Sequence, residues 1–157
     1  ALAVPLQREL RRAQALAVPL TVALVAGSAT AIVTAVGLAR LMGGSRATIV
    51  SLAPKSTTTP VAMGIAEKLG GLPSLTAALV ILTGILGAVV GPAILRLVRV
   101  RDPSATGFAM GVASHGIGTA RAFQLGQREG AFSGLAMGLN ALVTSLLVPA
   151  VLRLLGW

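Results

Sequence analysis

Residues 51–71 read SLAPKSTTTPVAMGIAEKLGG, a lysine and four consecutive hydroxyl residues held between two prolines in a chain built mostly of Ala, Leu, Val and Gly. Pro54 and Pro60 carry no backbone donor and disfavour helical geometry in the residues before them. The segment around Lys55 is therefore expected to be partly unwound, and its meaning depends on what surrounds it.

What surrounds it is apolar. Hydrophobic residues make up 55% of the 157 positions and charged residues only 11%, far from the balance of a soluble domain. Nothing ionisable lies between Arg12 and Arg40, between Lys68 and Arg96, or between Glu129 and Arg153. A bilayer core of about 30 Å takes about 20 apolar residues as helix. The windows 16–39, 74–95 and 131–152 each supply that length and predict three transmembrane helices. Between them, 47–70 and 104–128 predict two interrupted helices. The fold class is all-α: a polytopic transmembrane helix bundle with two broken or re-entrant helices in an internal repeat, forming a single membrane domain over 1–157.

The opening ALAVPL runs straight into QRELRR without an initiator methionine, as the last turns of a helix would. An amino-terminally truncated chain is the expectation. A secretory signal does not fit, since its apolar region runs about 7–15 residues and the first window here is longer.

The net charge of +9 does not indicate nucleic acid, because the basic residues flank apolar spans and aromatics are only 3% of the chain. The clusters Arg8, Arg11, Arg12 and Arg96, Arg99, Arg101 instead follow the excess of Lys and Arg in cytoplasmic segments. No cysteine is present, so there is neither disulfide nor thiolate chemistry, and one histidine alone makes no metal site. No cofactor is implied. The single aspartate, Asp102, precedes Pro103 in a basic loop, and no carboxylate neighbours His115 in sequence, which speaks against an enzyme. Lys55-Ser56 resembles the end of a P-loop, but Pro54 and Ile49 stand where glycines are required.

The two polar segments align at an offset of 60, placing Ala53 on Ala113, Lys55 on His115, Thr59 on Thr119, Lys68 on Arg128 and Gly70 on Gly130. Each is followed by an apolar helix with a similar end, GPAILRLV at 91–98 and VPAVLRLL at 148–155. Corresponding interrupted segments in two halves are the sequence pointer to a transporter site, because non-helical backbone at membrane depth needs protein or a water-filled cavity around it. In the first segment prolines make the break. In the second, Gly111, Gly116 and Gly118 are expected to loosen the helix.

If both segments were helical through their breaks, Lys55, Thr58, Thr59 and Ala62 would share a face, as would His115, Gly118, Thr119 and Ala122. Ionisable groups in a membrane segment are costly and mark function by default. Lys55, His115 and Arg121 together favour an anion, most simply a small carboxylate. Ser56, Thr57, Thr58, Thr59, Ser114 and Thr119 offer hydroxyls, and Gly116 and Gly118 complete the candidate substrate site. Plainer roles stand beside these. Lys55 can snorkel to headgroups, His115 can make a structural hydrogen bond or carry a proton, Arg121 can anchor a helix end, and the threonines can bond back to helix carbonyls. Gly84, Gly87 and Gly91 read as a close-packing face, and Asn140 as an interhelical hydrogen-bonding residue. Orientation turns on the first broken segment. A full crossing puts the Arg8 and Arg96 clusters on opposite sides, whereas re-entry puts both on one side, as the charge rule prefers.

At SLAPKSTTTPVAMGIAEKLGG, LTAALVILTGILGAVVGPAIL, GVASHGIGTARAFQLGQREGAFSGLAMGLNAL and ALAVPLQRE the chain resembles the LrgB/CidB family of bacterial inner-membrane proteins, which has a plant relative in the plastid glycolate/glycerate translocator. The resemblance spans essentially the whole chain, and family members are longer at the amino end. It implies a multi-pass inner-membrane protein in the lipid bilayer, working with a small holin-like membrane protein of the LrgA/CidA type and able to form homo-oligomers. It also implies one of two functions: transport of small monocarboxylates such as pyruvate, glycolate or glycerate, or antiholin-like regulation of murein hydrolase export and lysis. The cationic and hydroxyl residues in the broken segments favour transport, since no segment resembles a hydrolase or a hydrolase-binding domain.

Overall fold

A computed structural model describes residue 7 and residues 9–156. Arg8 and most of the ALAVPLQRE stretch therefore lie outside the described residues. Among the described residues seven helices follow one another: α1 (Leu10–Ala15), α2 (Ala17–Leu41), α3 (Arg46–Leu52), α4 (Thr59–Leu69), α5 (Pro73–Leu97), α6 (Pro103–Leu125) and α7 (Gln127–Leu154). Among the described residues, α2, α5 and α7 are long and apolar enough to cross a membrane, matching the three expected spans to within a turn. Their starts and stops follow local chemistry. Pro73 and Pro103 occupy first helical positions, where a missing N–H costs nothing. Gly70, at φ 83°, closes α4 in a left-handed conformation that suits glycine.

Both interrupted segments are re-entrant hairpins. In the first, Ser45 caps α3, its hydroxyl accepting from Thr48 N–H at 3.2 Å. The chain then leaves helical geometry over 53–58 and resumes as α4. It doubles back past α3, because Leu72 N–H donates to Ser51 Oγ at 2.7 Å and Gly71 lies against Val50 and Ser51, while Lys68 on α4 reaches the level of Arg153 near the carboxyl end of α7. A crossing helix would hold those residues far apart. In the second hairpin the break is at His115, whose φ 43° and ψ −133° divide α6 into two arms. The outgoing arm runs beside the start of α7, with Gly107 against Glu129 and Gly111 against Ser133. The returning arm retraces the same ground, with Thr119 bonded to Ser133 and Phe123 against Gly130.

Helix α7 fixes the geometry of both hairpins. It is parallel to α2: Leu24 packs with Phe132 and Ala136, Ser28 meets Asn140, and Val36 and Ala39 share a core with Val148 and Leu152. Hairpin one packs at the carboxyl ends of α2 and α7, where Pro60 and Lys68 line the same groove as Ser145 and Arg153. Hairpin two packs at the amino end of α7. The hairpins thus enter from opposite faces, and α5 crosses between them. Each unit is a hairpin followed by a spanning helix, and the second is inverted relative to the first. The offset of 60 read from sequence places Lys55 on His115, and these residues stand at the two tips.

Re-entry also settles the charge distribution. Arg11, Arg12, Arg96, Arg99, Arg101, Arg121 and Arg128 lie towards one face, here the basic face, and Arg40, Arg46, Lys68 and Arg153 towards the other. The basic face is tied together by Arg12 to Asp102 at 2.7 Å and Arg128 to Glu9 at 3.0 Å.

The glycine expectation for the second break needs correction. The residue with positive φ is His115, not Gly111, Gly116 or Gly118. Gly107 and Gly111 serve close approach: a Cβ at either would run into the α7 backbone. The shared face expected for Lys55, Thr58, Thr59 and Ala62 is also absent, because residues 53–58 are not helical.

Re-entry makes a direct prediction for the cysteine-free chain. Membrane-impermeant thiol reagents should label Met42→Cys and Leu72→Cys from one side, and Arg101→Cys and Leu125→Cys from the other. Labelling of positions 42 and 72 from opposite sides would replace the first hairpin with a crossing helix.

Candidate functional site

The two tips meet at Asn140, in the middle of α7. Its amide nitrogen donates to the Ser56 carbonyl of hairpin one at 3.0 Å and to the Val112 carbonyl of hairpin two at 3.1 Å. Its oxygen accepts from Ser28 at 2.6 Å and from Thr144 at 3.2 Å. The side chain is 1% exposed. One residue thus satisfies carbonyls released by both breaks, and the expectation of an interhelical role for Asn140 holds.

Against these tips lies a cavity of about 760 Å³ between α2, α5 and the outgoing arm of α6. It extends from Asp102 and Ser104 at the basic face to Lys55, Ser56 and Ser114 at the tips. Lys55 is half-buried, its Nζ donating to Ser56 Oγ at 3.2 Å. The ion pairs among the described residues engage Glu9 and Asp102, and neither involves Lys55. The ammonium therefore sits at membrane depth without a carboxylate partner.

His115 turns away from this cavity towards α5. Its Nε2–H donates to the Val80 carbonyl at 2.9 Å, the carbonyl being able only to accept. The ring is buried. A Cβ at Gly84 would meet the His115 ring, and one at Gly87 would meet the Ser114 hydroxyl, so α5 admits the second tip only through glycine. Gly91 differs from the expected packing face, having open space around it.

The remaining candidates divide by position. Ser56 and Ser114 line the cavity with Lys55. Thr57 is 1% exposed, and its hydroxyl has no hydrogen-bond partner. Thr58 occupies the N-cap position of α4 without a capping bond, and Thr59 begins that helix. Thr119 donates to the His115 carbonyl at 2.8 Å and bonds Ser133, which stabilises the tip from behind. Gly118 packs against Ser114 and Met110, and Gly116 is exposed near Met137. Arg121 is not brought to Lys55: it is exposed on the returning arm and bonded to Gln124 at 2.8 Å. Sequence reasoning missed Thr83, Asp102 and Ser104 as cavity residues. Only the hairpin topology could have revealed them.

The mouth carries its own electrostatics. Asp102 caps α6 through Ala105 N–H at 3.0 Å, while Arg12 bonds both Asp102 and Ser104. The Ala105 N–H lowers the Asp102 pKa most; burial opposes that, and the Arg12 guanidinium adds to the lowering. A carboxyl with a lowered folded pKa contributes stability above its unfolded value, and that contribution is lost as pH falls through the folded value.

Two outcomes are expected. Asn140→Leu leaves two buried carbonyls without a donor, at about 1–3 kcal/mol each, so a loss of about 3 kcal/mol in unfolding free energy is predicted; a loss below about 1 kcal/mol would show that the tips are held by other contacts. The melting temperatures of wild type and Asp102→Asn should differ near neutral pH and converge as pH falls below about 4. A constant difference across that range would assign the effect to something other than the Asp102 charge.

A profile of the LrgB-like family matches residues 1–154. The chain is 37% identical over 152 residues to the uncharacterized protein YwbG of Bacillus subtilis, covering 97% of this chain and 68% of that one. It is 37% identical over 115 residues to the holin-like protein CidB of Staphylococcus epidermidis, and 36% identical over 115 residues to CidB of Staphylococcus aureus. Each of those matches covers 73% of this chain and 50% of the relative, so the chain spans about half the length of the CidB proteins it matches. No solved structure matches. With the family profile covering nearly every residue, and three helices long and apolar enough to cross a membrane among the described residues, this multi-pass membrane protein belongs to the LrgB-like family.

Proposed function

We propose that the protein transports small monocarboxylates across the bacterial inner membrane, with Lys55 as the anion-binding cation. The supporting observation is the Lys55 ammonium at the inner end of a cavity, at membrane depth and without a carboxylate partner. A charge in that position is costly, and a bound carboxylate would offset the cost. Ser56 and Ser114 would orient the anion by donating hydrogen bonds. Two inverted hairpins meeting at midplane are the arrangement from which transporters build substrate sites. By the charge rule the basic face, and with it the cavity mouth, is cytoplasmic. Arg121 takes no part in the site, and a small holin-like partner would act outside it.

The second reading is a holin-like regulator of murein hydrolase export. It is favoured by the names of the CidB relatives and by the exposed aliphatic faces of the spanning helices, such as Val18, Leu86 and Leu146, which suit oligomers as well as lipid.

Uptake of labelled pyruvate, glycolate and glycerate by proteoliposomes separates the two. Transport is expected in wild type, reduced but present in Lys55→Arg, where charge survives with altered geometry, and absent in Lys55→Met. Uptake by Lys55→Met equal to wild type would make the lysine an interface anchor. If His115 carries a coupling proton, His115→Gln should flatten the pH dependence of uptake between about pH 5 and 8; an unchanged profile would leave His115 with only its bond to Val80.

A further inference from the structure

A second concavity, of about 440 Å³, lies between α4 and α7, at the face opposite the mouth of the Lys55 cavity. From Pro60 to Lys68 on α4 and from Ser145 to Arg153 on α7 its two walls cover the same length, about 12 Å of helix. The inner part is apolar, with Pro60, Val61, Ile65 and Leu69 on one wall and Pro149 on the other. Ser145 donates its hydroxyl proton to the Ala141 carbonyl at 2.7 Å and so presents no donor to the groove. Gly64 lies on the α4 wall with open space where a Cβ would stand. Neither a positive φ nor a close neighbour within the chain requires glycine there, although glycine in a helix interior costs stability relative to alanine. The outer end is basic. Lys68 and Arg153 line it from different helices, and the ion pairs among the described residues involve neither. Glu67, beside Lys68 in sequence, does not line the groove.

The geometry points to an anionic phospholipid as the occupant of this groove, its phosphate between Lys68 and Arg153 and one acyl chain lying past Gly64 towards Ser145. Charge complementarity decides among occupants. A second copy of this chain, paired symmetrically, would bring the same two cations to the contact and add repulsion, whereas a phosphate between them removes it. Basic recesses between membrane helices are where anionic headgroups are held. Free phosphate would satisfy the cations and leave the apolar length below them empty; an acyl chain fills it, and the missing side chain at Gly64 gives it room. A lipid in this position bridges α4 and α7, and so ties the returning arm of hairpin one to the helix that carries Asn140. The inference is independent of the anion site at Lys55.

The test is photocrosslinking of the full chain in nanodiscs that contain a trace of phosphatidylglycerol or phosphatidylcholine bearing the same diazirine-labelled acyl chain, with the labelled peptides mapped by mass spectrometry. Labelling is normalised to the exposed face of α5 around Leu82 and Leu86, which corrects for folding and lipid density. Peptides covering 60–69 and 145–153 should be labelled by phosphatidylglycerol about fivefold or more above phosphatidylcholine, since one cation near an anionic headgroup accounts for about fivefold. Lys68→Gln combined with Arg153→Gln should bring the two lipids to parity, and the charge-conserving pair Lys68→Arg with Arg153→Lys should keep the preference. Gly64→Leu fills the groove, leaves both cations in place and should abolish labelling near Ser145 by either lipid. Equal labelling by the two lipids in wild type, a preference that survives the double glutamine variant, or undiminished labelling near Ser145 in Gly64→Leu would each overturn the inference. Loss of the preference when inorganic phosphate is added at constant ionic strength would assign the cations to free phosphate instead. Disulfide-linked dimers of Gly64→Cys formed in place of lipid labelling would give the groove to a second copy and equally overturn it.

Discussion

Two helices cannot break in the middle of a bilayer unless something other than water satisfies the backbone they release, and in this protein Asn140 meets that demand for both. Its amide reaches one carbonyl from each hairpin, while Ser28 and Thr144 complete its own hydrogen bonding. The side chain is small enough to sit between two tips and carries enough donors to serve both. Because Asn140 lies on the long helix α7, the tips are registered to one rigid element, and Lys55, one residue before the bonded Ser56 carbonyl, is placed with them.

The two breaks are made differently. Hairpin one turns through a six-residue stretch, 53–58, where Pro54 and the approach to Pro60 discourage helix. Hairpin two turns at one residue, His115, in a backbone conformation that costs a non-glycine residue about 1–3 kcal/mol. Surrounding contacts hold it there: the ring bonds Val80, its carbonyl accepts from Thr119, and glycines at 84 and 87 leave room for the tip. The tight turn turns the histidine away from the cavity and leaves Ser114 on its wall.

The spans were legible because charge-free apolar runs of membrane length have few alternatives, and the repeat because both tips carry polar residues in an apolar chain. The position of the first break followed from proline chemistry. The second break was assigned to glycines, yet Gly107 and Gly111 serve packing, because sequence does not distinguish a glycine that frees the backbone from one that admits a neighbouring helix. The site was legible only in its residues nearest the tips. Arg121 looked like a partner for Lys55 when the second segment was read as one helix face; the reversal at His115 carries it back towards the basic face instead. Asp102 and Ser104 reach the cavity through the inverted packing of the second hairpin, a relation between residues nearly 50 positions from Lys55 that no local pattern encodes.

The most direct measurement is the side from which position 55 meets water. In the chain carrying Lys55→Cys as its sole cysteine, a membrane-impermeant thiol reagent applied at the basic face should modify the residue. Modification only from the opposite face, or none from either, would contradict a cavity that opens at Asp102 and ends at the meeting point of the two hairpins.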